Sequence, residues 1–159
     1  MSLLAAIRPD EWNLPLLVHV LGASVLVGGL AVALTAQLLG WRRARPGDEP
    51  AYARLAFRTL LLAALPGWIV MRLGAEWIYS EQDWADAASE PTWLGIGWIT
   101  ADLGLLLLLL SLLLGGLGAR RLSRTGSQGG TLVRIAAVLT TVALAAYVVA
   151  TWAMSGKPG

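Results

Sequence analysis

Apolar residues along this chain fall into four long runs separated by short polar segments. The runs cover about residues 14–41, 55–79, 93–118 and 131–154. Each exceeds the ~20 residues that an α-helix needs to cross a hydrocarbon layer about 30 Å thick. A globular core would instead place its apolar residues at helical or strand spacing. The pattern therefore predicts an all-α fold, a bundle of four transmembrane helices that makes residues 1–159 one integral membrane domain.

Charged residues are distributed unevenly between the loops, which predicts how the chain is oriented. Residues 42–58 contain five arginines against two acids, and residues 120–134 contain four arginines and no acid, whereas residues 80–92 contain four acids and no base. Basic loops stay in the cytoplasm, so both chain ends are expected outside. Tryptophans then mark the two membrane interfaces, with Trp12, Trp77, Trp84, Trp93 and Trp152 outside and Trp41 inside.

Composition agrees with a membrane protein and excludes several kinds of chemistry. Charged residues make up 14% of the chain, against about 25% in soluble domains. The absence of cysteine excludes disulfides, thiolate metal sites and a cysteine nucleophile. No serine–histidine–acid spacing, phosphate loop or multi-histidine cluster is present, so we assign no catalytic residue and expect no enzyme.

The same composition indicates location and partners. Abundant alanine, glycine and leucine, with arginine in place of lysine, are typical of a high-GC bacterium, so we expect a bacterial plasma membrane. The excess of basic residues is explained by topology, and it is no sign of nucleic acid. The expected partners are membrane lipid and either other membrane protein subunits or further copies of this chain.

Small residues recur at intervals of four in three of the spans. In the first span, Ser24 precedes Gly28 and Gly29 precedes Ala33. This spacing lets helix backbones approach closely in lipid, which predicts tight packing inside the bundle, with dimerisation as the lesser alternative. Pro66, in the middle of the second span, lacks a backbone donor and predicts a kink there.

Three ionisable residues inside the predicted spans are the first candidates for function. They are His19 in the first span, Arg72 in the second and Asp102 in the third. At a rise of ~1.5 Å per residue, they lie about 7 Å, 8–10 Å and 13 Å from the outer ends of their spans. Ionisable groups are costly in a bilayer, and their presence there is by default a functional hypothesis.

A fourth candidate, Glu76, lies on the same helix face as Arg72, because residues four apart are neighbours on a helix. Arg72 can therefore pair with Glu76 along its own helix or with Asp102 across to the third span. With His19 nearby, these residues would form a small polar pocket that opens outward. The alternative is structural: the charges fix helix register or reach the interface, and His19 bonds a carbonyl or headgroup.

The segment LLVHVLGASVLVGG at residues 16–29 resembles the first helix of several small bacterial membrane families. Among them are the copper-resistance D type and the HemJ-type protoporphyrinogen oxidases, which share an outer-leaflet histidine followed by a glycine-bearing stretch. Over nearly its whole length the chain is similar to a family of uncharacterised four-helix integral membrane proteins from high-GC bacteria. That similarity includes RTL at 58–60, MRLGAEW at 71–77, WLGIG at 93–97, TAD at 100–102 and WAM at 152–154.

The HemJ-type resemblance implies a haem b with His19 as its axial metal ligand. Met71 or Met154 would supply a second ligand, and Arg72 would bind a propionate. The HemJ-type enzymes also use a lysine in a later helix, and no predicted span of this chain contains one. The copper resemblance requires soft ligands, which are limited here to the few methionines.

Three functional hypotheses follow, and the first is our leading prediction. It is an accessory, assembly or stabilising subunit, expected from close helix packing and short loops in a chain too short for a separate catalytic module. The second is a haem b-binding redox protein. The third is transport or sensing through the outward-facing pocket, with Asp102 and His19 titrating, although the spans show no internal repeat of the kind that transporters use.

Overall fold

The computed structural model describes residues 13–42, 45, 47–81, 92–125 and 129–156, which contain helices and no strand. The four helices are α1 (Asn13–Arg42), α2 (Glu49–Glu81), α3 (Thr92–Thr125) and α4 (Gly130–Gly156). Each is long and apolar enough to cross a membrane, so the predicted all-α class with four spans of membrane length is confirmed. Trp12, Trp84, the Trp93 side chain and most of the acidic segment lie outside the described residues.

Two of the helices extend well beyond the apolar runs. Helix α2 begins at Glu49 rather than near residue 55, and α3 continues to Thr125 rather than ending near Gly118. Pro50 fits the first turn of α2, because backbone N–H groups there have no acceptor within the helix and proline lacks an N–H. Glu49 lies at the positive end of the helix dipole. Apolar runs mark only the apolar part of each helix, and these polar turns continue the helix beyond that part.

A π-helical turn, Leu60–Ala64, interrupts α2 just before Pro66. At its end the Leu65 amide donates to the carbonyl oxygen of Leu60, five residues back. Proline has no N–H, and its ring crowds the carbonyl four residues earlier. A π turn widens the helix at this point. The irregularity expected at Pro66 is therefore taken up as a wider turn in a helix that continues on both sides.

Helices α1 and α2 pack antiparallel through glycines on both helices. In order along α1, the facing pairs are His19 with Gly74, Gly22 with Met71, Leu26 with Gly67, and Gly29 with Ala64. A Cβ added to any of these four glycines would overlap the backbone opposite. The two helices therefore touch backbone to backbone over several turns, which is how small residues bring helices together in lipid.

One of the predicted packing motifs faces outward instead. Ser24 is exposed and its hydroxyl donates to Val20 of its own helix, while nothing lies within 4 Å of the position that a Gly28 Cβ would occupy. The expectation that Ser24 and Gly28 pack inside the bundle is therefore wrong. Adjacent residues on a helix point about 100° apart, so only one of Gly28 and Gly29 can face α2.

Leucine, alanine and one tyrosine fill the interior of the bundle. Leu26, Leu60, Leu108 and Ala143 are fully buried, and Tyr147 is nearly so. Helix α4 packs along α3 and also contacts α1, which closes the ring of helices. This interior separates the two ends of the bundle, where the charged residues lie.

The two ends of the bundle differ in charge. At one end the Trp41 ring lies 5.9 Å from the Arg42 guanidinium carbon and 5.2 Å from that of Arg134, which brings α1 and α4 together there. Both basic loops thus lie at the same end. We call it the arginine end, and it includes Arg42, Arg45, Arg54, Arg58, Arg120, Arg121, Arg124 and Arg134. The opposite end, with His19, Arg72, Glu76 and Asp102, is the far end.

Candidate functional site

The guanidinium of Arg72 is the centre of a charged cluster between α2 and α3. Its Nη2 lies 3.2 Å from Oε1 of Glu76, one turn further along α2. Its Nη1 lies 3.5 Å from Oδ1 of Asp102 on α3. Within the described ranges Nη1 is buried without a hydrogen-bond partner, so the contact with Asp102 is an ion pair and not a hydrogen bond. The sequence allowed either acid as the partner of Arg72, and the structure shows both.

Aromatic side chains support this cluster from both helices. The guanidinium carbon of Arg72 lies 4.0 Å from the centre of the Trp98 ring, well within cation–π range. Tyr79 packs edge-to-face on Trp98, with ring centres 5.9 Å apart. On the other side of the cluster, Trp68 Nε1 donates to the carbonyl oxygen of Ala101 at 3.0 Å. These contacts join α2 to α3 at the far end.

The two acids of the cluster face outward. The Asp102 side chain is 67% exposed and that of Glu76 is 53% exposed, whereas Arg72 is 25% exposed. The cluster thus combines one guanidinium with two carboxyl groups. About 27 Å of helix, at ~1.5 Å per residue, separates Asp102 from Arg120 at the arginine end. This separation is shorter than the thickness of a hydrocarbon layer, about 30 Å.

The ring of His19 contacts the α1–α2 interface. Its Nδ1 lies 2.9 Å from the backbone oxygen of Met71. A carbonyl can only accept, so Nδ1 carries the hydrogen in this contact. In the described part of the chain, no hydrogen bond or ion pair joins His19 to Arg72, Glu76 or Asp102. The structure thus brings three of the four polar-pocket candidates together and bonds the fourth elsewhere.

Three aromatic residues at or next to this site, Tyr79, Trp98 and Tyr147, were not sequence candidates. Trp98 precedes Asp102 by four residues, as Trp68 precedes Arg72, so a repeated tryptophan-to-charge spacing would have indicated an aromatic neighbour for each charge. Tyr147 is different: its buried hydroxyl lies against Gly104 and has no hydrogen-bond partner among the described residues. No local pattern indicates it, because its position depends on how α4 packs on α3.

Only one residue of the haem hypothesis has the expected surroundings. A histidine whose Nδ1–H is held by a carbonyl is oriented to bind metal through Nε2, as His19 would be. However, a Cβ on Gly74 would overlap the His19 backbone, so α1 and α2 leave no room between them for a porphyrin beside His19. A haem between these two helices therefore does not fit.

The other residues of that hypothesis have different partners. Met71 is 7% exposed within the hydrophobic core, and the Met154 methyl group contacts Gly97 at the α3–α4 interface. Arg72 already faces two carboxylates and an aromatic ring. The described residues contain no group of three or more histidine, aspartate or glutamate side chains that could hold a metal ion.

Comparison with models of protein families, with curated proteins and with solved structures finds no match to this chain. The family resemblance drawn from the sequence therefore stays an expectation. Function has to be argued from the charges, the exposed faces and the helix contacts themselves.

Proposed function

We propose that the protein is an accessory subunit of a membrane complex, without enzymatic activity, which binds a different transmembrane protein through the far half of α3. The observation that carries this proposal is the exposed Asp102 side chain, which we expect to lie within the hydrocarbon layer because about 27 Å of helix separates it from Arg120. Placing an aspartate side chain in hydrocarbon raises the free energy of membrane insertion by roughly 2.5–3.5 kcal/mol at the bilayer centre, and by less towards the interface. A partner helix that offers a cation or a hydrogen-bond donor at this depth removes the cost.

The surroundings of Asp102 have the composition of a helix-docking surface. Ile99, Leu103 and Leu106 lie on the same side of α3 and are 62%, 57% and 53% exposed. We call these three residues with Asp102 the α3 docking face. Lipid chains accept the apolar residues alone. The Asp102 carboxylate, paired with Arg72 at 3.5 Å but 67% exposed, still offers a polar surface that a partner helix can bind. Two copies meeting through this face would bring two Asp102 carboxyl groups together, so a different protein with a basic residue at this position is the better partner.

In the proposed orientation the arginine end lies in the cytoplasm of a bacterium, and both chain ends lie outside. The support is the concentration of arginines at one end of the bundle. Because the chain has no cysteine, a single introduced cysteine can be labelled specifically. A membrane-impermeant maleimide should label Ser155→Cys on intact cells, and Ser123→Cys only after permeabilisation. The reverse pattern would contradict the orientation.

Site-specific cross-linking tests the docking face. In native membranes, Leu103→Cys carrying a benzophenone maleimide should form an adduct with one other protein. The control is Val142→Cys on α4, which is 50% exposed and has no charge beside it, and which should form little adduct. Adding Asp102→Asn to the Leu103→Cys chain should reduce the adduct at least about fivefold, because the partner loses its ionic contact.

Three results would contradict the proposed docking. An adduct with twice the mass of this chain at Leu103→Cys would show self-association through α3. Equal adducts at Leu103→Cys and Val142→Cys would show random collision. An adduct unchanged by Asp102→Asn would remove the carboxylate from recognition.

A second candidate function is haem binding on the outer surface of α1, with the second ligand supplied by another chain. It is favoured by one observation, the Nδ1 bond of His19 that leaves Nε2 available. When bound, a haem would supply redox chemistry. This candidate predicts resolved α and β absorption bands in dithionite-reduced protein from haem-replete cells, and their loss in His19→Ala but not in Met154→Leu. A spectrum without such bands would contradict it.

Transport, the third hypothesis, finds no support in the bundle interior. Between the two ends the described core is mainly leucine and alanine. Its buried polar side chains are Gln37, Ser111 and Thr140, none of them ionisable. The charged cluster lies on the outer surface of α2 and α3 and does not continue into this core.

A further inference from the structure

A groove of about 310 Å³ lies between α2 and α3 at the arginine end. Four arginines surround it, two from each helix, and in each helix the two lie one turn apart: Arg54 and Arg58 on α2, and Arg120 and Arg124 on α3. These residues come from the flanks of two different loops, so only the packing of α2 on α3 brings them together. We call this feature the arginine groove.

Small and apolar residues form the floor of the arginine groove. The Phe57 ring lies against Gly116, where an added Cβ would be 2.9 Å from Cε2 of the ring. Ala119 is 4% exposed beneath the arginines, and Ser123 lies at the groove edge. The groove exists because α3 contributes small residues, Gly116, Ala119 and Ser123, between its two arginines and the Phe57 ring. Its lining contains no acid.

The four arginines have few partners of their own. Arg54 Nε donates to the backbone oxygen of Pro50 at 3.2 Å, and for the other three no hydrogen bond or ion pair occurs with the residues that the structure describes. The nearby Glu49 carboxylate accepts from the Gly47 amide. Elsewhere, Arg42 and Arg134 contact Trp41, and Arg72 faces two acids. The arginine groove is therefore a concentration of positive charge that an anion would neutralise.

We propose that the arginine groove binds the headgroup of an anionic phospholipid, with the phosphate between the four guanidinium groups. Arginine binds phosphate through paired N–H donors, and basic pockets between membrane helices suit lipid headgroups. Leu61 on α2 follows Arg58 by three residues, and Leu113 on α3 precedes Gly116 by three, so helical spacing places each about one turn from the groove on the side away from the arginine end. These leucines are 40% and 61% exposed. One acyl chain would lie along these leucines. That continuity with the lipid-facing surface favours a membrane lipid over a soluble phosphate.

Native mass spectrometry of the full-length protein in mild detergent tests this proposal. Phosphatidylglycerol should bind more tightly than phosphatidylcholine with the same acyl chains. In the double variant Arg120→Gln/Arg124→Gln, the affinity for phosphatidylglycerol should fall at least about tenfold, while that for phosphatidylcholine stays unchanged. The matched control, Arg42→Gln/Arg134→Gln, removes the same charge from the same end outside the groove and should retain the preference.

A second variant keeps every charge. Ser123→Leu places an apolar side chain at the groove edge, on an exposed position that does not disturb the core, and should also weaken phosphatidylglycerol binding. Equal losses in the groove and control double variants would show a general surface-charge effect and overturn the site. Unchanged binding in both groove variants would overturn it as well. Displacement of the lipid by millimolar inorganic phosphate, with equal stabilisation by phosphate alone, would identify a soluble anion site instead.

Discussion

The Gly29→Leu variant should melt at a clearly lower temperature in detergent than the unsubstituted chain, whereas Gly28→Leu should melt close to it. A side chain at Gly29 meets the backbone of Ala64, which cannot move aside without separating α1 from α2. Overpacking in a core costs typically 1–3 kcal/mol, and a clash with backbone should reach the upper part of that range, about 3 kcal/mol. Size-exclusion chromatography and a thermal melt of both purified variants measure the difference.

Gly28→Leu is a close control, because it places the same side chain one residue away at the same depth. The space beside Gly28 is open, so the leucine should face lipid without changing the helix contacts. Equal destabilisation of the two variants would mean that α1 is rotated differently from the orientation described. The same result would follow if a partner covers Gly28 in the detergent-purified form, and cross-linking from that position would then detect the partner.

Arg72→Met should destabilise the bundle more than Asp102→Asn does. The first substitution leaves Glu76 and Asp102 without their cation and removes the contact with Trp98, for an expected loss of about 2–3 kcal/mol of unfolding free energy. The second leaves Arg72 paired with Glu76 and stacked on Trp98, so a loss below about 1 kcal/mol is expected for this largely exposed partner. Unfolding of each purified variant by denaturant gives both values.

The double variant separates a structural from a recognition role. Combining Arg72→Met with Asp102→Asn should cost less than the sum of the single changes, because the second substitution removes a carboxylate already left unpaired. If Asp102→Asn alone unfolds the chain and Arg72→Gln restores it, the ion pair serves the fold. That outcome would contradict the proposed role of Asp102 in partner binding, whereas a folded Asp102→Asn that no longer captures the partner would support it.

The helices themselves could be predicted from the sequence, and so could the charge difference between the loops. A run of apolar residues longer than the hydrocarbon thickness has few alternatives to a helix, because every backbone polar group must be satisfied within lipid. The predicted helix ends were less accurate outside the apolar runs, where this argument does not apply. The polar first turns of α2 and the last turns of α3 lie beyond the apolar runs, so their helical state depends on local capping and propensity rather than on hydropathy.

The sequence predicted which residues form the charged cluster, but it did not predict how they are arranged. The sequence identified Arg72, Glu76 and Asp102 as neighbours or potential neighbours, since helical spacing and depth are properties of single spans. It also indicated the outward pocket with His19, but the described bonds connect His19 to Met71 instead. Which face of each helix meets its neighbour is a property of the assembled bundle.

The sequence by itself determined the helical class, the four helices of membrane length, the position of each charge along its helix and the basic character of two loops. Tertiary structure decided that Gly29 packs while Gly28 faces outward, that Asp102 is exposed, and that arginines from two loops share one groove. The physical reason is that a transmembrane helix is apolar on every side. Leucines that face lipid and leucines that face the core look alike in the sequence, so hydropathy does not specify how the helices are rotated.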